Sequence, residues 1–218
     1  YVYPGNSTGN TTELYAAATW GPVTAKYSHT VSDDYFGFAG AKSGSGRKGR
    51  NTGYLAGPDA LRLADLHSAL ADPEVAAIHS LRGGYGAMRL LPDIDTTLVR
   101  SAAKLLIGYS DITALHALWA RCGLASLHAP MPSSDLIKPG RESDELVLFD
   151  LLRSGLQEGA VLAPDLAPEG VSVGGSARGL LVGGNLSLVA ALLGTPWAWD
   201  NRGAILFLED VSEEPYRV

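Results

Sequence analysis

The chain has 218 residues, enough to bury a core as one large domain or two small ones. Its formal net charge of −6 lacks the broad basic field that favours nucleic acid or an anionic membrane surface, so neither is expected as a partner. Cys122 is the single cysteine, which excludes an intrachain disulfide and a multi-cysteine zinc site and fits a reducing compartment.

No two of His29, His67, His79, His116 and His128 stand three to five residues apart, so no metal is expected. No stretch reaches the roughly 18 consecutive apolar residues of a spanning helix, and no basic-then-apolar export signal opens the chain. The start at Tyr1, without methionine, and the stop at Val218 directly after EEPYR both read as cut ends.

Residues 1–50 differ from the rest. They hold five of the nine tyrosines and carry +2 (five Lys/Arg against three Asp/Glu), whereas 51–218 carry −8 (twelve against twenty). In GPVTAKYSHTVSDDY, Val23, Ala25, Tyr27, His29 and Val31 alternate with polar residues at the period of a strand. TTELYAAATWGPVTAKYSHTV therefore predicts a hairpin turning near Gly21-Pro22. GAKSGSGRKGRN, with nothing to pack, reads as a linker.

From residue 51 to about 156 helix and strand alternate. Pro58-Asp59 opens a helical run with Leu63, Leu66 and Leu70 at helical spacing, ending near Asp72-Pro73. VAAIHSL (75–81) is a short apolar strand that empties into RGGYG, and KLLIGY (104–109) is a second. DITALHALWARCG follows as a helix with Leu115, Leu118 and Trp119 on one side and Gly123 as its stop, and ASLHAP (125–130) is a third strand. This alternation implies βαβ units, hence an α/β fold with a parallel sheet. Gly, Pro and Ala then dominate QEGAVLAPDLAPEGVSVGGSARG, an interdomain linker. GLLVGGNLSLVAALLG reads as strand, Gly-Gly turn and helix, and AILFLEDV (204–211) as a buried strand. Residues 157–218 are thus the linker and the incomplete start of a smaller second domain.

Ligands of open α/β sheets bind at the carboxyl ends of the strands, where three features converge. In GYSD, Ser110 joins a strand to a helix, either as a nucleophile on a tight elbow or as a helix N-cap; the familiar G-x-S-x-G is absent. RGGYG is either a plain turn or a wall whose glycines offer backbone donors, and it fits no phosphate-binding pattern. In LFLEDV, Glu209 and Asp210 close an apolar strand, as a solvated strand end or as the carboxylate that orients a histidine. His116 reads as packed inside a helix and His128 as lining a wall; neither is an evident partner for Ser110.

Together, GYLAGPDALRLADL, SLRGGYGAMRLLPDID, LIGYSDITALH, LHAPM, GLLVGGNLSLVAALLGTPW and ILFLEDVSEEPYRV resemble, in order and spacing over about residues 53–218, the LD-carboxypeptidase family of serine peptidases. That family includes muramoyl-tetrapeptide carboxypeptidases and microcin C immunity peptidases. The resemblance implies an N-terminal parallel-sheet domain, a smaller C-terminal domain that is truncated here, and a Ser-Glu-His triad at their junction. Ser110 matches the nucleophile and Glu209 the triad carboxylate. The backbone amides of Asp111 and of Gly83 and Gly84, with Gly84 the first choice, match the oxyanion hole, and Arg82 and Tyr85 would shape the pocket.

The implied reaction is cytoplasmic release of terminal D-alanine from a murein tetrapeptide in peptidoglycan recycling, without metal or organic cofactor. Family members are often dimers. The family's histidine belongs to a Gly-His motif downstream of the LED strand and past Val218, so the chain as given is expected to be nearly inert. An immunity peptidase acting on acyl-adenylates and a non-catalytic binding module are the alternatives. Residues 1–50 do not match the family's opening strand and resemble instead an outer-membrane barrel-like segment, whose own rival reading is a cell-envelope structural protein.

Overall fold

The computed structural model describes residues 55–156, 159–160, 174–211, 213 and 216, together with the backbone of three strands near the N-terminus. These are β1 (Glu13–Trp20), β2 (Val23–Thr30) and β3 (Phe38–Ala39). β1 and β2 pair antiparallel from Glu13↔Thr30 to Trp20↔Val23, the hairpin that alternation predicts. The expected linker at GAKSGSGRKGRN lies outside the described residues, as does most of the second linker.

The main sheet has the order β3-β4-β5-β6, with β4 at Ala77–Ser80, β5 at Leu105–Gly108 and β6 at Ser126–His128. β4, β5 and β6 are parallel, in the register Ala77↔Leu105 and Leu106↔Ser126, while β3 joins antiparallel through Phe38↔Ser80. The sheet therefore takes in two residues that precede the compositional seam at residue 50. Leu106 and Ile107 of the inner strand β5 are 0% and 1% exposed, as a strand covered on both faces requires.

Helix α1 (Asp59–Ala71) covers the sheet with Leu66 and Leu70. Its last carbonyls are satisfied by a buried lysine: Lys104 Nζ donates to Ala69 O at 2.7 Å and to Asp72 O. Two further helices escaped the sequence reading. In α2 (Thr96–Ala102), the Asp95 carboxylate accepts from the amides of Thr97 and Leu98 at 2.8 and 3.1 Å. In α4 (Glu142–Ser154), three acidic residues stand in the first turn and Arg153 in the last, complementing the helix dipole.

Helix α3 (Thr113–Arg121) departs from the one-sided pattern expected for it: every residue from Thr113 to Trp119 is buried. It lies between the main sheet and a second parallel pair, β7 (Leu180–Asn185) with β8 (Ala204–Glu209), together with α5 (Leu186–Leu192). A helix covered on both sides is apolar all round. The Gly-Gly pair is likewise no turn. Gly183 and Gly184 are inside β7, and a Cβ on Gly184 would stand 2.6 Å from Thr113 Oγ1, so the glycine permits close packing of β7 on α3. Nor is β8 buried as expected: Ile205, Leu206 and Leu208 are 39%, 48% and 44% exposed, because among the described residues β8 has β7 as its single strand neighbour. No helix among the described residues is long and apolar enough to cross a membrane.

Gly184→Ala should lower stability by about 2 kcal/mol, since the added methyl meets the Thr113 side chain at a φ of 139° that disfavours alanine. Urea unfolding measures this, and an unchanged midpoint would mean that β7 does not seat on α3 as described.

Candidate active site

Strand β5 ends at Gly108, and two residues later Ser110 begins a single 3-10 turn (Ser110–Ile112) that runs straight into α3. Ser110 sits at φ 61°, in the left-handed region, which costs a non-glycine residue on the order of 1 kcal/mol. It is not a helix cap. Tyr109 and Ile112 hold the two N-cap positions, and neither makes a side-chain capping bond. The strained turn presents the hydroxyl at the carboxyl end of an inner parallel strand, the geometry of a nucleophile elbow.

The RGGYG loop leaves β4 and comes to rest against this serine. A Cβ added to Gly83 would lie 2.9 Å from Ser110 Cβ and 3.1 Å from its Oγ, so this approach requires glycine. Gly83 lies against the hydroxyl, next to Gly84, the first choice for the oxyanion donor. Gly84 is exposed, at φ 147°, Tyr85 is 60% exposed and Arg82 is half-buried.

Asp111 contributes more than the backbone amide read from sequence. Its side chain is buried, at 3% exposure, and Oδ2 accepts from the Ala87 N–H at 2.8 Å. Burial raises its pKa, while hydrogen bonds from Ala87 and Gly86 and the nearby Arg62 guanidinium pull the other way. Arg62, which sequence reasoning missed, donates from Nη1 to Gly86 O at 3.1 Å and pairs with Asp59. Its signal was a lone arginine on the apolar side of LRLADL.

The histidines differ in role. The His116 ring donates from Nε2 to the carbonyl of Gly108 at 2.8 Å, which leaves Nδ1 to accept from the Ser126 hydroxyl at 2.8 Å. Burial lowers its pKa to about 4, so it is packed and neutral. His128 stacks edge-on against Phe207 of β8, with ring centroids 5.1 Å apart, and its Nε2 is 3.7 Å from Glu209 Oε1. That is too long for a hydrogen bond, and burial pushes both groups toward their neutral forms.

Glu209 Oε1 is buried and has no hydrogen-bond partner among the described residues. The Glu209 charge contributes to raising the Tyr109 pKa, after burial and Asp135. Asn185, also missed in the sequence, ties the second lobe to α3: its N–H donates to Thr113 Oγ1 at 3.0 Å, and its side chain hydrogen-bonds Glu209. Asp210 accepts from Ser187 at the start of α5 and also hydrogen-bonds the Asn185 side chain. Among the described residues no cluster of three or more His, Cys, Asp or Glu is placed to hold a metal ion.

A serine at φ 61° between a parallel strand and a helix, with backbone glycine against its hydroxyl, places a nucleophile-elbow geometry in an α/β fold. Residues 30–129 match the family model of the LD-carboxypeptidase N-terminal domain, and residues 178–218 match that of its C-terminal domain. The chain belongs to the LD-carboxypeptidase family of serine peptidases.

It is 43% identical over 171 residues to a probable murein peptide carboxypeptidase of Bacillus subtilis, covering 76% of this chain and 52% of that protein. The crystal structure of a muramoyltetrapeptide carboxypeptidase from Oxalobacter formigenes matches with a TM-score of 0.62 and 32% identity, over 78% of this chain and 56% of the other. A microcin C7 self immunity protein in complex with aspartyl sulfamoyl adenosine matches with a TM-score of 0.61 and 26% identity, over 73% and 56%. The chain spans about half the length of these relatives.

Two outcomes follow from this geometry. Ser110→Gly should be more stable than Ser110→Ala by about 1 kcal/mol in urea, because glycine accepts φ 61° without strain; equal midpoints would contradict the strained elbow. His116, with an ordinary pKa of 6.5 lowered to about 4, binds its proton more readily in the unfolded chain. Its contribution is therefore complete above about pH 6.5 and shrinks as pH falls toward 4, by about 3 kcal/mol in all. Unfolding midpoints of the parent chain and His116→Gln across that range should converge at acid pH.

Proposed function

We propose that the whole protein is a serine LD-carboxypeptidase that cleaves the amide between an L-centre, L-lysine or meso-diaminopimelate, and the terminal D-alanine of a murein tetrapeptide. This places it in cytoplasmic peptidoglycan recycling. The observation that carries the reading is the Ser110 elbow, its hydroxyl lodged against the Gly83 backbone at the carboxyl end of β5.

In this reaction a histidine takes the proton from Ser110 Oγ as the oxygen attacks the scissile carbonyl. The amides of Asp111 and of the RGGYG glycines hold the negative oxygen that forms. Collapse of the tetrahedral adduct expels the amine of D-alanine, which receives the proton from the imidazolium, and water then releases the peptide from the serine. Glu209 accepts from the imidazole N–H and stabilises its charged form, a role to which its buried, hydrogen-bond-free oxygen is suited.

The family resemblance assigns the base to a histidine of a Gly-His segment beyond Val218. The 3.7 Å approach of His128 to Glu209 favours a second reading, in which His128 is the base. Turnover separates the two: with the base outside these residues, the 218-residue chain alone should be on the order of 10³-fold or more slower than a chain extended through that segment. Equal turnover, abolished by His128→Ala, would assign the base to His128.

In the extended chain Ser110→Ala should abolish D-alanine release, and Cys122→Ala should leave it within about threefold, because the thiol has no part in the mechanism. Full activity of the serine variant would remove the mechanism. Aspartyl sulfamoyl adenosine, offered beside the tetrapeptide, tests the immunity-peptidase alternative, and faster cleavage of it would move the substrate class there.

A further inference from the structure

Two side chains converge on the backbone at Gly86, two residues past the exposed Gly84 and three past the glycine that touches Ser110. From below comes the buried carboxylate of Asp111, with Oδ2 2.8 Å from the Ala87 N–H and a second hydrogen bond from the Gly86 amide. From α1 comes Arg62, whose Nη1 donates to Gly86 O at 3.1 Å. Arg62 is itself fixed by Asp59, and Asp59 also binds Arg89 of the 3-10 turn Ala87–Asp93, with Arg89 Nε donating at 2.9 Å. Gly86 sits at φ 108° and opens that 3-10 turn, so the Asp111 carboxylate caps it from a remote part of the chain.

We propose that Asp111 is a positioning residue for the oxyanion site: through the amides of Gly86 and Ala87 its carboxylate sets the RGGYG loop at the distance from Ser110 that Gly83 requires, and Arg62 holds the same loop from its outer side. The inference rests on Ser110 being the nucleophile. One residue then ties both donors together, since its backbone N–H follows the serine and its side chain anchors the loop carrying the other amide. The two N–H groups in question are buried, and a carboxylate oxygen satisfies them where water does not compete. An asparagine offers one acceptor and turns its own NH2 toward the remaining donor.

The test is made in the whole protein with Asp111→Asn, Arg62→Met, the double variant and Ser110→Ala, following tetrapeptide hydrolysis, amide hydrogen exchange and thermal unfolding. Asp111→Asn should lower kcat about 100-fold with KM within about threefold, the signature of displaced transition-state donors. Arg62→Met should lower kcat about 10-fold, and the double variant should be little worse than Asp111→Asn, because both act on one loop. Exchange should quicken at Gly83–Ala87 and stay unchanged at Leu105–Gly108. A kcat unchanged in Asp111→Asn overturns the proposal, as does exchange that quickens equally in β5. Should Asp111→Asn fail to fold, Arg62→Met carries the same kcat-against-KM reading, and an Arg62→Met variant with parent kcat overturns the proposal. Activity in Ser110→Ala would instead overturn the nucleophile assignment, leaving loop exchange as a separate result.

Discussion

A parallel strand must hand the chain to a crossing helix within a few residues, and in this protein that turn is squeezed between two buried elements. Strand β5 is covered on both faces and α3 is buried along seven consecutive residues, so neither can shift to relax the joint. Ring N–H groups of α3 fasten both ends of the strand: Trp119 Nε1 donates to Lys104 O at 2.9 Å, and His116 Nε2 to Gly108 O at 2.8 Å. The strain that remains falls on Ser110 at φ 61°. Strained backbone persists where its surroundings over-determine it, and this joint meets that condition.

The second lobe is seated on the same helix. Thr113, the first residue of α3, accepts the Asn185 N–H, and the missing side chain at Gly184 lets β7 close on it. Asn185 pairs in register with Glu209 across β7 and β8 and hydrogen-bonds its carboxylate. A carboxylate about a hundred residues from Ser110 in sequence is thereby referred to the elbow by one threonine.

Adjacent carboxylates at the end of β8 share the Asn185 side chain and differ in their other neighbours. Asp210 is also engaged by Ser187 at the start of α5, while Glu209 lies near His128 with one oxygen buried and without a hydrogen bond among the described residues. Burial raises the Glu209 pKa and lowers that of His128, so each group is desolvated beside the other.

The sequence by itself determined the local elements. The apolar runs VAAIHSL and KLLIGY, the helical spacing of Leu66 and Leu70, and the position of GYSD between strand and helix all depend on contacts close along the chain, and β4, β5, α1 and the turn at Ser110 lie where those patterns put them. Hydrophobic pattern could not say that α3 is covered on both sides, that Gly183 and Gly184 are in a strand, or that Gly83 is the glycine against the hydroxyl. Each depends on which distant surface arrives: β7 on α3, Phe207 O on Gly183, Ser110 on the loop. The side chain of Asp111 and Arg62 passed unread for the same reason, since a carboxylate after a serine and an arginine in a helix acquire their meaning from the backbone of Gly86, 25 and 24 residues away. Periodicity reports how a segment buries itself, and only the folded chain decides which polar groups must satisfy one another once water is gone.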